Sequence, residues 1–298
     1  MFYFVLGMMS TYLWQNFLKD SKYIKWAVDK IFDLAKRFKL SKVVEIWPGK
    51  GAITKHLAWK IDLILFEKDQ SFLSLYIKWW GLEPLGKKWD FGIWQNSEFS
   101  QSAQALAGDV KKLSNQAFEN GIGNNSTVKL YLWDFLKADK DIDDLDNSLF
   151  FGNLPYYITS PILIKVAMEF KSQVGLFMVQ KEVGEKVDTN ASKKSYLWWI
   201  LNYFYEVKCV KNVPAKAFSP PPKVDSCWIL LIKKNTHPQI SLPWLQKFLD
   251  LIVSKRQTIK KNLGRAWIKL DSSLGSKRLE ELTWKDMETL YKQLKNEI

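Results

Sequence analysis

The stretch from Val43 to Glu67 constrains this chain more than any other. Val43 to Ile46 is a short apolar run, Trp47-Pro48-Gly49-Lys50-Gly51 is a tight loop, a helix is predicted from about Ala52, and Leu63 to Phe66 is a second apolar run ending at Glu67. Strand, glycine loop, helix and strand in that order make the first half of a nucleotide-binding crossover. The acid closing the second strand stands where ribose hydroxyls are held. A glycine loop alone says little. With Glu45 before it and Glu67 after it, the segment points to a nucleoside-type cofactor.

Strands and helices keep alternating on either side. Apolar positions Ile24, Val28, Ile31, Leu34 and Phe38 follow helical spacing, which predicts a helix capped by Ser21 and running to about Lys39. Further strands are predicted at Val128 to Leu132, Leu149 to Gly152 and Val174 to Val179, and Gln180-Lys181-Glu182-Val183 opens another helix. Tyr203 to Val213 and Val224 to Lys233 read as paired strands around a stiff proline loop, Phe218 to Lys223. The fold class is therefore α/β, a Rossmann-like open sheet closing with an antiparallel edge, followed by a small all-helical part. The expected division is a domain over residues 1–233, a linker to Ser241, and a helical domain over 242–298. Residues 78–126 lose the rhythm and read as an insertion without chemistry. Asp134 is preferred to Asp109 as the acid of the third strand, because alternating β-formers directly precede it.

The run from Phe150 to Pro161 begins as an apolar strand and then places an amide, a proline and two aromatic rings in one turn. The Asn153 carbonyl and a main-chain carbonyl of Leu154 or Pro155 can accept from one amino group while the Tyr156 ring stacks on its base. Enzymes that act on nucleobases need such a holder. A strand end with a buried tyrosine pair accounts for these residues equally well, so the rest of the chain decides. The balance of 44 basic and 31 acidic residues leaves a charge of +13, which calls for a polyanionic partner such as nucleic acid. Only Arg37, Arg256, Arg265 and Arg278 are arginines, so recognition of backbone and shape is expected rather than bidentate base reading. Past Leu242 the pattern is helical; Leu249, Ile252, Ile259 and Leu263 share an apolar face, while Lys255, Arg256, Lys260, Lys261 and Arg265 form a phosphate-tracking one. Cys209, Cys227, His56 and His237 show no metal-ligand spacing, so no metal is expected. Met1 to Met9 is too short and uncharged for a secretory signal, and no apolar run approaches a membrane span; a reducing cytosol and a monomer are expected.

Six segments occur in a telling order: Gln-Asn-Phe-Leu at 15–18, Glu-Ile-x-Pro-Gly-x-Gly at 45–51, Asp-Phe-Leu at 134–136, Gly-Asn-Leu-Pro-Tyr at 152–156, Gln-Lys-Glu-Val at 180–183, and Phe-x-Pro-x-Pro-Lys-Val-Asp-Ser at 218–226. Together they resemble the ribosomal RNA adenine N6,N6-dimethyltransferase family, of the bacterial small-subunit type. The helical C-terminus favours that type over the related large-subunit (23S) resistance methyltransferases. The resemblance implies dimethylation of adenines in small-subunit (16S) ribosomal RNA with S-adenosyl-L-methionine as cofactor, acting on a small-subunit precursor during ribosome biogenesis. By family position, Asn16 and Leu18 close over the cofactor, Trp47, Gly49 and Gly51 face its methionine part, Glu67 binds the ribose, and Asp134 meets the adenine amino group. Asn153, Leu154, Pro155 and Tyr156 hold the target adenine, Asn153 also contacting the cofactor, and Phe218 is a second stacking surface for the adenine.

Three family glycines are tryptophan here: Trp14, Trp47 and Trp133. A tight loop wants glycine for positive φ and close ligand approach, and an indole fills space the cofactor needs. The chain carries 15 Trp and 14 Gly, against about 21 Gly expected from average usage. The expected explanation is that UGA codons, read as glycine by the source, are here translated as tryptophan, with Trp267, Trp59 and Trp284 candidates for the same set and Trp244 or Trp228 genuine. The rival is a degenerate paralogue with a blocked pocket, kept as an RNA-binding assembly factor.

Overall fold

A computed structural model of the chain describes residues 16–80, 126–138, 145, 147–170, 172–252, 257–266, 268, 270 and 273–298. Trp14, Asp109, Lys255, Arg256, Trp267 and nearly all of the expected insertion lie outside them. Strand β1 (Phe17–Leu18) is followed by α1 (Ser21–Phe38), β2 (Lys42–Ile46), α2 (Thr54–Leu57), β3 (Asp62–Phe66), α3 (Leu73–Trp80) and β4 (Val128–Tyr131). Then come β5 (Ser148–Asn153), α4 (Thr159–Glu169), β6 (Val174–Gln180), α5 (Lys181–Val187), α6 (Tyr196–Phe204), β7 (Tyr205–Val213), β8 (Phe218–Ser219) and β9 (Ser226–Lys233). Helices α7 (Leu242–Ile252), α8 (Ile259–Arg265) and α9 (Trp284–Leu294) complete the chain.

Seven strands form one sheet in the order β4-β3-β2-β5-β6-β9-β7. The first five are parallel, and β9 runs antiparallel to both β6 and β7. The strands read as continuous apolar runs because alternate residues serve two covered faces. On one face Val43, Leu63, Leu149, Phe151 and Leu176 pack with Ile31 and Leu34 of α1. On the other, Val44, Ile64, Phe66, Phe150 and Phe177 pack with Ile162, Leu163 and Val166 of α4. Each fully buried Leu or Phe contributes roughly 1.5–3 kcal/mol, so the sheet is fixed in register by both layers at once.

Local departures from the expected boundaries have local causes. Asp20, not Ser21, caps α1, its carboxylate accepting from the Lys22 amide at 2.9 Å. Helix α2 is a single turn, because the loop before it continues in turns to Ile53. Helix α3 continues through Trp80, past the expected start of the insertion at 78. The basic segment near the C-terminus is not one helix: Thr258 is extended (φ −65°, ψ 156°) and α8 starts only at Ile259. Leu249 and Ile252 therefore lie on α7 and Ile259 and Leu263 on α8, all four buried in a third core with Trp198, Trp199 and Ile200 of α6. The Asn262 amide donates to the Ile252 and Gln257 carbonyls, each at 3.4 Å, which ties the two helices at that break. Among the described residues no helix is long and apolar enough to cross a membrane.

Candidate active site

Strand order reverses direction between β2 and β5, and in an open parallel sheet a crevice forms beyond the strand ends at such a point. Here the crevice is a cavity of about 650 Å³, well within the size that encloses small ligands. Its walls come from the loop after β2 (Trp47, Pro48, Gly49), the end of β3 (Glu67, Lys68, Asp69), the turn after β5 (Asn153 to Tyr157) and the β1 segment (Asn16, Phe17, Leu18).

The glycine loop is held by backbone conformation and by one carboxylate. Residues 47, 49 and 51 all have left-handed backbones, with φ of 58°, 55° and 63°. Glu67 fastens the loop to β3: Oε2 accepts from the Gly49 amide at 3.0 Å and from the Tyr76 hydroxyl at 3.2 Å, and Oε1 from the Asp69 amide at 2.8 Å. Burial pushes the Glu67 carboxyl up to about 7 against those hydrogen bonds. Beside it, burial lifts Glu45 to about 8, opposed by the Thr54 hydroxyl that donates to Glu45 Oε2 at 2.7 Å and reinforced by the Glu67 charge. Two such carboxyls at one cavity floor are a mark of functional sites.

The opposite wall is the Asn153 turn. Gly152 lets β5 reach it, since a Cβ there would stand 2.5 Å from the Ile46 carbonyl oxygen. The Asn153 side-chain amide donates to the Asn16 carbonyl at 3.1 Å, and Oδ1 has no described donor. The Leu154 amide donates to the Met178 carbonyl at 3.1 Å. The Pro155 carbonyl already accepts from the Thr159 hydroxyl and the Ile158 amide, both at 3.1 Å. Of the two main-chain acceptors left open by the sequence, Leu154 is thus the one without a described donor. The Tyr156 hydroxyl is hydrogen-bonded to Ser226 Oγ at 2.8 Å, and its ring is half-buried at the cavity while Tyr157 is exposed at the rim.

Three expected site residues are not on the cavity wall: Gly51, one position before the lining resumes at Ala52, and Phe218 and Asp134. Phe218 is 1% exposed: β8 pairs with β1, Leu18 opposite Phe218, and the ring turns into the core rather than toward the cavity, so it offers no second stacking surface. Asp134 lies off the cavity wall, capping the turn that follows β4 through a bond from the Leu136 amide at 3.0 Å and pairing with Lys68 at 3.0 Å. Lys68 itself does line the cavity. Lys260, Lys261 and Arg265 are exposed on α8. Sequence reasoning missed Phe17, Lys68, Asp69, Tyr76 and Ser226. Lys68 and Asp69 follow Glu67 directly and Ser226 closes the proline motif, so both had a positional signal; Tyr76 had none. No cluster of three metal-ligating side chains occurs among the described residues.

A parallel sheet with its switch point at a glycine loop, an acid ending the strand on one side and an amide-proline-tyrosine turn ending the strand on the other, has the architecture of a Rossmann-like methyltransferase, a class whose cofactor is S-adenosyl-L-methionine. The family described as ribosomal RNA adenine dimethylase matches residues 9–82 and 109–294, and the chain belongs to that family. A Hydrogenobaculum protein named ribosomal RNA small subunit methyltransferase A is 29% identical over 94% of this chain and 91% of its own. Among solved structures, the 23S rRNA methyltransferase ErmE superposes with a TM-score of 0.57 at 19% identity, covering 94% of this chain and 100% of its own. A dimethyladenosine transferase from Plasmodium falciparum gives 0.57 at 20% identity, covering 94% and 98%. At those identities the two structures attest the fold alone.

Proposed function

We propose that this chain dimethylates the exocyclic amine of adenines in small-subunit ribosomal RNA, acting as a cytoplasmic monomer on a ribosomal precursor. The observation that carries the reading is the Asn153 to Tyr156 turn, which faces the Glu67 cavity with one amide oxygen and one carbonyl available. Similarity to small-subunit methyltransferases along nearly the full chain favours that substrate over large-subunit RNA.

Apart from the Trp47 indole on its wall, the cavity suits the cofactor: about 650 Å³ of space, bordered by the glycine loop and lined by the buried carboxyls of Glu45 and Glu67. Asn16 and Leu18 would cover the group, Gly49 would border its amino-acid end while Gly51 shapes the loop behind it, and Glu67 would meet its ribose. Asp134, released from or shared with Lys68, would meet its adenine. When bound, S-adenosylmethionine supplies a methyl already activated by its sulfonium, so no strong base is required. The protein's task is alignment. In the first transfer Asn153 Oδ1 and the Leu154 carbonyl each accept a hydrogen bond from the target amine, which draws the nitrogen lone pair out of conjugation and aims it into the cavity; the nitrogen's surplus proton then passes to solvent, and in the second transfer the one remaining N–H keeps one of these bonds. Tyr156, tethered to Ser226, stacks on a base taken out of its helix. Fixing the amine in this way supplies much of the acceleration through proximity. Lys260, Lys261 and Arg265 of the 242–298 segment, with Lys255 and Arg256 just before them, would follow the RNA backbone.

The test is Asn153→Ala on a small-subunit RNA precursor. Methyl transfer is expected to fall by at least about 100-fold while cofactor affinity changes by less than about 10-fold. Near-normal turnover removes Asn153 from the chemistry. One observation favours a second reading, a catalytically impaired RNA-binding assembly factor: the indole of Trp47 sits on the cavity wall. Cofactor binding by the chain with Trp or Gly at 47 separates the two.

A further inference from the structure

The nine tryptophans with described side chains fall into two groups. Trp26, Trp198, Trp199, Trp228, Trp244 and Trp284 each pack against another aromatic ring. Trp47, Trp59 and Trp133 pack against no described ring, and Trp59 and Trp133 are 37% and 46% exposed.

The backbone singles out two of those three, Trp47 and Trp59, and not Trp133. Among the described residues, the non-glycine positions with positive φ are Lys39, Trp47 and Trp59. Lys39 is the left-handed residue that closes α1, a place where helices commonly end so. The other two, at φ 58° and 65°, are both tryptophan, a bulky side chain for which this region is an outlier. Position 47 continues the run of left-handed positions at Gly49 and Gly51.

We propose that the natural polypeptide carries glycine at 47, 59 and 133, encoded by UGA, and that position 47 is where side-chain size decides whether the cofactor enters. Trp284, a candidate on sequence grounds, belongs with the genuine tryptophans, since its ring packs on Trp198 and Trp199. A UGA codon means glycine in one version of the code and tryptophan in another, so one decoding difference accounts for all three positions. The last clause of the proposal rests on the cavity being the cofactor site; the decoding does not.

The test is peptide mapping of the protein isolated from its own cells, where trypsin releases 43–50, 56–60 and 130–137, one position in each. Glycine is expected in all three, with tryptophan retained at 228 in peptide 224–233. Tryptophan at 47, 59 or 133, or UGG at those codons, overturns the decoding. Two variants of the tryptophan form test the physics. Trp59→Gly, away from the cavity, is expected to raise the unfolding midpoint by about 2 °C through relief of the left-handed backbone, and a fall overturns that reasoning. Trp47→Gly is expected to bind S-adenosylmethionine at least about tenfold more tightly by calorimetry. Equal, measurable binding by both forms overturns the gate at 47. Glycine in the native peptides with no binding by either form instead defeats the methyltransferase reading and leaves the decoding standing.

Discussion

Replacing Glu45 with glutamine should change how stability depends on pH more than it changes stability itself. The Glu45 carboxyl is buried beneath the cavity, and burial lifts it from 4.5 to about 8. Between those values the folded protein holds a proton that the unfolded chain has released, so folding becomes less favourable as pH rises through the window and the penalty vanishes below it. At about 1.4 kcal/mol per pH unit the penalty reaches roughly 4 kcal/mol by pH 8, a large share of the 5–15 kcal/mol that holds a typical domain together. Glutamine keeps an oxygen to accept from the Thr54 hydroxyl, which now donates to Glu45 at 2.7 Å, and cannot ionise. Urea unfolding at pH 5 should place Glu45→Gln within about 1 kcal/mol of the parent, and at pH 8 roughly 4 kcal/mol above it. Some fall with pH should persist in the variant, since Glu67 is also raised, to about 7. A difference between variant and parent that stays constant from pH 5 to 8 refutes the argument.

Ser226→Ala removes the hydroxyl that holds Tyr156, and should lower kcat/KM for RNA about tenfold with cofactor affinity unchanged; Tyr156→Phe should show a similar loss, and the double variant little more. Additive losses in that cycle would mean the two act separately. Gly152→Ala places a methyl 2.5 Å from the Ile46 carbonyl and should destabilise by about 1–3 kcal/mol in thermal or urea unfolding; an unchanged midpoint would show that β5 can shift away from β2. Changing Lys260, Lys261 and Arg265 together to glutamine should reduce the slope of log affinity against log salt by about 2 for the RNA substrate, and an unaltered slope would take α8 off the RNA.

Much of the fold was legible because it depends on patterns one strand or one loop long. The apolar runs at 43–46, 63–66 and 149–152 became parallel neighbours, and the late pair became the antiparallel end of the sheet. Asn153 and Glu67, 86 positions apart in the chain, meet at one cavity as expected. Where the reading failed, the deciding contact was distant. Phe218 had the chemistry of a stacking ring, and its pairing with Leu18 turned it inward. The basic run near 260 had helical spacing throughout, and a core shared with α6 required two helices instead of one.

From sequence alone follow the crossover with its glycine loop, the amide-proline-tyrosine turn, and the odd placing of tryptophan where glycine belongs, because each is local chemistry in consecutive residues. Tertiary structure alone decided that Lys68 pairs with Asp134, that Ser226 anchors Tyr156, and that Trp47 and Trp59 occupy left-handed backbone while Trp284 sits in an aromatic core. Those outcomes depend on which side chains from remote segments compete for the same space, and spacing along a chain carries no record of that competition.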